Sequence, residues 1–123
     1  NLSSLTLDNT GLLTSVTRDI NTDGALLSLS KSLFNKDALI FSDIDYNWVR
    51  LREKSKTKGI IVRFTGYPNL ALWAQPGADY VCIEPWLGLP DAENESLDIT
   101  KKSTYTKLEP QKQLSRTIET IVE

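Results

Sequence analysis

The chain is 123 residues long, with 14 Lys and Arg against 16 Asp and Glu, a formal charge of −2, 40% hydrophobic residues and neither Met nor His. That is the size of one domain or of a piece of one. The near-balanced charge, with no basic run longer than a pair, removes the electrostatic case for nucleic acid or an anionic membrane as partner, and the zero for His excludes His-based triads and His metal sites within the chain.

In chain order, Leu2, Leu5 and Leu7 precede a turn at Asn9-Thr10-Gly11. The run from Leu12 to Ile20, rich in Thr, Val and Ile, is closed by Asn21-Thr22-Asp23-Gly24, and Ala25 to Leu29 opens another run, which predicts a hairpin. Ser30 is placed to cap a short helical turn through Phe34 and Asp37. Val49 and Leu51 alternate with Arg50 and Arg52 as a half-buried strand requires, and the Lys-rich stretch up to Gly59 reads as a solvated loop. Next, Ile60, Val62 and Phe64 share one face while Ile61 and Arg63 share the other. Beyond Gly66-Tyr67-Pro68-Asn69, two apolar runs, Leu70 to Ala74 and Tyr80 to Trp86, are joined by Gln75-Pro76-Gly77. At the end, Leu114, Ile118 and Val122 fall on one face of an alternating strand. The predicted fold class is all-β, with short strands stacked as a sandwich.

Several segments invite a chemical reading. Asp19 to Gly24 copies the opening of a calcium loop, but Ser30 stands where a bidentate Glu is needed and flanking helices are missing, so a hairpin turn is the better account. Asp91, Glu93 and Glu95 read as a solvated acidic loop rather than a metal site. Asn1-Leu2-Ser3 and Asn94-Glu95-Ser96 are short sequon matches without secretory support, because the single Cys82 has no internal disulfide partner and points to a reducing, cytoplasmic setting. No apolar stretch approaches the length of a membrane span and no signal-peptide pattern opens the chain; without Met, Asn1 is expected to be a processed or cut terminus.

The informative stretch is Tyr80-Val81-Cys82-Ile83-Glu84-Pro85-Trp86. Alternation puts Tyr80, Cys82 and Glu84 on one face, and the following Pro85 pushes Glu84 toward extended geometry at the end of a strand. Apolar neighbours there, Cys82, Tyr80, Trp86 and Trp73, would raise the pKa of Glu84 by desolvation and make it a stronger base when ionised. The competing reading is a strand-edge carboxylate paired with Lys or Arg. Tyr67, Trp73, Tyr80 and Trp86 offer flat apolar faces suited to the C–H face of a sugar ring, or equally to an aromatic-rich sandwich core. Arg63 faces either solvent or the site.

Taken in order, Leu33-Phe34, Asp37-Ala38-Leu39-Ile40-Phe41, Val49-Arg50-Leu51, Tyr67-Pro68-Asn69-Leu70-Ala71-Leu72-Trp73 and Tyr80 through Asp91 resemble the aldose 1-epimerase (galactose mutarotase) family. More narrowly, they resemble its branch of mutarotase-related proteins found beside bacterial lactose-utilisation genes. The match runs from about Leu26 to the terminal strand, with Lys101 and Leu108-Glu109-Pro110 included, and its most specific part is Cys-Ile-Glu-Pro-Trp with Trp73 upstream and Gly88-Leu89-Pro90-Asp91 downstream.

The resemblance implies a β-supersandwich enzyme, needing no cofactor, that interconverts the α and β anomers of a free aldohexose of the galactose or glucose type. By motif position Glu84 would take the proton from the anomeric hydroxyl, Asp37 would hydrogen-bond sugar hydroxyls, and Trp73 and Trp86 would line the pocket. The family's acid is a His, which this chain lacks, and family chains are about twice this length or more. Residues 1–123 are therefore expected to be the C-terminal half of a single β-sandwich domain, inactive alone, whose N-terminal half carries the histidines as a separate chain or a lost segment. Two other readings remain: a sugar-binding β-domain without catalysis, and a hexose-6-phosphate epimerase, which would need a basic site among Arg50, Arg52 and Arg63.

Overall fold

Short alternating runs punctuated by Gly, Asn and Asp fold into eight strands in the computed structural model, which describes residues 1–123 throughout. They are β1 (Leu2–Leu7), β2 (Leu13–Ile20), β3 (Leu39–Phe41), β4 (Trp48–Leu51), β5 (Ile60–Thr65), β6 (Asn69–Trp73), β7 (Cys82–Trp86) and β8 (Thr117–Val122), with a single 3-10 turn at Ile99–Lys101. Every strand pair is antiparallel. One sheet has the order β2-β1-β3-β6-β7 and the other β4-β5-β8, so the chain is an all-β, sandwich-like fold.

The core lies where the two sheets overlap. Leu70 of β6 meets Val62 and Phe64 of β5, while Leu39 and Phe41 of β3 gather Ile20, Phe34 and Ala74. Ile44 and Leu72 touch both clusters and join them. Only 12 of the 123 residues are buried, so stability is concentrated in a few side chains rather than spread over a thick interior. Ser4 is one of the two polar members; its hydroxyl accepts the Ile40 N–H at 2.9 Å and donates to the Leu5 carbonyl at 2.9 Å, which satisfies an otherwise orphaned donor.

The first hairpin forms upstream of the place predicted for it. β1 and β2 pair through the Asn9-Thr10-Gly11 turn, where the Asp8 carboxylate accepts from the Thr10 and Leu12 N–H groups at 2.7 and 3.0 Å. Residues 25–29 are not a strand: Asp23 and Leu26 exchange two 3.0 Å backbone bonds around Gly24 (φ 58°), and the chain turns away. β2 pairs with β1 on its other side, its outer edge takes no partner from this run, and Leu26 and Leu29 stay exposed. The stretch from Ser30 makes successive turns instead of a helix, closed by Leu33 N–H to Ser30 O (3.1 Å) and Asp37 N–H to Phe34 O (3.2 Å). Ser30 Oγ pairs with Ser32 Oγ at 3.3 Å and caps nothing.

The remaining runs match their sequence patterns. Val49 and Leu51 of β4 turn inward while Trp48 and Arg50 are exposed, and Val62 and Phe64 of β5 are buried while Arg63 is exposed. Gly59 is required where β4 and β5 close together, because a Cβ there would run into the Leu51 carbonyl oxygen. Ile118 and Val122 do share a face of β8, but Leu114 lies before the strand begins.

Candidate functional site

Cross-strand register assembles one row across the larger sheet: Thr17, Leu5, Ile40, Ala71 and Glu84 stand side by side on β2, β1, β3, β6 and β7. Residues paired directly in an antiparallel ladder share a face, so Glu84 lies on the face opposite Leu70, Leu72 and Ile83, which point into the sandwich. Ile40 and Ala71 are fully buried on the Glu84 face. Glu84 therefore rises beside a small methyl group and a branched apolar residue rather than from a bare polar surface. Trp73 and Cys82 form the next row on this face, Asn69 and Trp86 the one on the other side of it.

The Glu84 carboxylate is half-buried and accepts the indole N–H of Trp86, Nε1 to Oε2, at 3.2 Å. Two residues apart on one strand, these side chains point the same way, and this spacing permits the bond. Between them, Pro85 lacks an N–H, which the sheet tolerates because β7 is an edge strand. No ion pair to Lys or Arg forms at Glu84, contrary to the competing sequence reading. Trp73 stacks at a tilt on Tyr80, with ring centroids 6.3 Å apart and planes at 57°. Tyr80 itself precedes β7 and is half exposed.

Two groups that sequence reasoning passed over hold this strand and its exit. Asn69, read as a turn residue after Pro68, is buried on the Glu84 face, and its Nδ2 donates to the carbonyls of Trp86, Leu87 and Gly88 at 3.4, 3.5 and 3.4 Å. The other is Lys102. Its side chain, 6% exposed, forms an ion pair with Asp91 and lies 5.4 Å from the Tyr105 ring centre. The Asp91 carboxylate holds the Lys102 ammonium above its ordinary range. Asp91 also accepts Leu13 N–H through its backbone carbonyl at 2.8 Å, so the segment after β7, one edge of the sheet, is fastened to the start of β2, the opposite edge. Of the rest of the acidic run, Glu95 accepts Ala92 N–H at 2.8 Å and Glu93 donates its N–H to Leu13 O at 2.9 Å. Lys102 was legible only as half of the Lys101-Lys102 pair; Lys101 is the exposed member.

Asp37 stands apart from the rest. It is exposed, has φ 75°, and its carboxylate accepts the neighbouring Ala38 N–H at 2.7 Å, with no bond to Glu84, Trp73 or Trp86. It does sit at the Trp73 end of the sheet, two residues before Leu39, which opposes Leu72. A cleft of about 300 Å³ opens at that end, lined by Phe34, Ala74, Gln75, Asp79, Tyr80 and Val81; Glu84 does not line it. The arginines considered for a phosphate belong to the smaller sheet and its loop. There Arg63 pairs with Glu119 at 3.1 Å, Arg50 pairs with Glu123 at 2.9 Å, and Arg52 donates to the carbonyls of Glu53, Lys54 and Lys56. No helix is long and apolar enough to cross a membrane.

With this geometry in hand, the chain is similar to protein LacX of Lactococcus lactis subsp. lactis, in the forms named plasmid and chromosomal, at 34% identity over 85 residues. The match covers 68% of this chain but only 28% of the length of either relative. No known protein-family profile matches the chain, and no solved structure does.

Proposed function

We propose that the chain is the Glu84-bearing C-terminal part of an aldose 1-epimerase-like isomerase acting on a free aldohexose. The observation that carries this reading is the Glu84 carboxylate, half-buried, free of any cation and held by the Trp86 indole on a face shared with Trp73. In this reading Glu84 removes the anomeric hydroxyl proton and an acid delivers one to the ring oxygen. The ring then opens, the C1–C2 bond rotates, and closure yields either anomer. Trp73 and Trp86 supply apolar faces for the sugar, while Asp37, whose Oδ1 accepts Ala38 N–H, offers its other oxygen to hydroxyls. The resemblance of the Cys82 to Trp86 motif, and the similarity to a relative named LacX, support the lactose-utilisation branch.

The acid is a His from sequence beyond this chain, in keeping with the chain's lack of His and with relatives much longer than the matched region. General acid and base each contribute about 10²–10⁴ in rate, so the 123 residues alone bind sugar with little or no turnover. A non-catalytic sugar-binding domain is the second reading, favoured by the same absence of His. The hexose-6-phosphate reading is weakened by the pairing of Arg50, Arg52 and Arg63. Polarimetry on the complete polypeptide separates the first two: Glu84→Gln is expected to abolish mutarotation with sugar affinity nearly unchanged, and normal anomerisation by that variant would refute the base assignment.

A further inference from the structure

The last three residues of β7 form a stiff bracket. Glu84 and Trp86, two apart on one strand, point the same way, and their side chains meet where Trp86 Nε1 donates to Glu84 Oε2 at 3.2 Å. Pro85 between them has its φ fixed by the ring and confines the backbone of Glu84 to extended geometry. The rotations that separate donor from acceptor are thereby restricted before any ligand arrives.

Trp86 is in turn anchored from the neighbouring strand. It opposes Asn69 in the β6–β7 ladder, and the buried Asn69 amide donates to its carbonyl at 3.4 Å and to those of Leu87 and Gly88 beyond it. Gly88 is hemmed in as well, because a Cβ there would stand 3.2 Å from the Thr104 carbonyl oxygen and 3.6 Å from the Tyr105 ring. All of these contacts are made between residues 69 and 105 of the chain, well inside its ends.

We infer that Trp86 is the positioning residue of the site: its N–H occupies Oε2 of Glu84 and leaves Oε1 as the oxygen that takes the anomeric proton. This rests on the reading of Glu84 as base and adds what directs that base. A free Glu side chain offers two equivalent oxygens, whereas one with Oε2 engaged offers a single acceptor at a fixed place. Indole nitrogen donates and never accepts, so Trp86 neither competes for the proton nor returns one. Trp73, the other indole on this face, stacks on Tyr80 instead. The two tryptophans therefore differ in task, Trp73 supplying surface and Trp86 direction.

The 123-residue chain gives the first readout. Its Trp86 indole N–H signal is expected to move upfield in Glu84→Gln, where a charge-assisted bond becomes a neutral one, while Trp48 on the smaller sheet stays fixed. In the complete polypeptide, Trp86→Phe keeps an apolar ring and deletes the N–H. Its kcat for mutarotation is expected to fall about 10²-fold with KM nearly unchanged, whereas Trp73→Phe is expected to act on KM. Backbone amide signals away from β7 that match the unsubstituted protein verify folding. An unchanged kcat in Trp86→Phe, a loss carried by KM alone, an equal kcat loss in Trp73→Phe, or an indole signal indifferent to Glu84→Gln overturns the inference. The base assignment survives those results as long as Glu84→Gln lacks turnover; normal turnover by that variant overturns both.

Discussion

The two sheets treat the same kind of residue differently. At the centre of the larger sheet Ile40 and Ala71 are buried even on the face turned away from the sandwich, and Leu39 and Leu70 are buried on the other. In the smaller sheet, burial ends one strand past Phe64, at Ile118. Alternation decides which way a side chain points, while cover is a property of whatever packs above it. Glu84, Asn69 and Trp86 adjoin the part of the larger sheet that is buried on both faces, the setting a positioned carboxylate needs.

The sharpest way to break this comparison lies along the Phe64–Ile118 row. Phe64→Ala is expected to cost about 3–5 kcal/mol in urea unfolding. Ile118→Ala, at a half-exposed position, should stay within about 0.5 kcal/mol. Equal costs would mean that β8 is covered after all. Next in size is Ser4→Ala, which leaves the Ile40 N–H buried without its acceptor. A loss of about 1–3 kcal/mol is expected, and a neutral result would show that water reaches the β1–β3 seam.

Asn69→Ala sharpens the comparison within the larger sheet. Its three contacts to Trp86, Leu87 and Gly88 are long, so the expected cost is nearer the ordinary hydrogen-bond contribution of about 0.5–1.5 kcal/mol. The more telling readout is the Trp86 indole N–H resonance, which should move if Asn69 sets the exit of β7 and stay put if it does not.

The smallest effect concerns pH. Because Asp91 raises Lys102, the pair's contribution is complete below the ordinary Lys value of about 10.4 and is lost as pH climbs through the raised value. Melting temperatures of the unsubstituted chain and Lys102→Met should therefore differ by a constant margin from neutral pH to about pH 10 and converge above it. A margin that vanishes already below pH 9 would contradict the pairing.

Much of this fold was readable from alternation and turn residues. Val49 and Leu51, and Val62 and Phe64, lie as their patterns require, because local spacing alone determines which face a strand residue takes; Glu84, expected at a strand's end, is the middle residue of β7. Partnership was not readable. The pairing of β3 with both β1 and β6 joins segments far apart in sequence, and the 25–29 run, despite its pattern, is led away from the free edge of β2 by the tight Asp23–Leu26 turn. Within the site, Glu84, Trp73 and Trp86 came together on one face because they share two adjacent strands. Asp37, a loop residue with no period to orient it, did not join them. Asn69 was hidden by Pro68, whose turn signal masked the first residue of a buried strand.

The claim on which the functional account turns is that the Glu84 face receives a sugar. Titrating the 15N-labelled chain with galactose and with glucose, while following the three Trp indole N–H signals, addresses it without any turnover. The account predicts saturable shifts at Trp73 and Trp86, preserved in Glu84→Gln, with Trp48 on the smaller sheet unmoved. Shifts confined to Trp48, or no shift at any indole at saturating sugar, would contradict it.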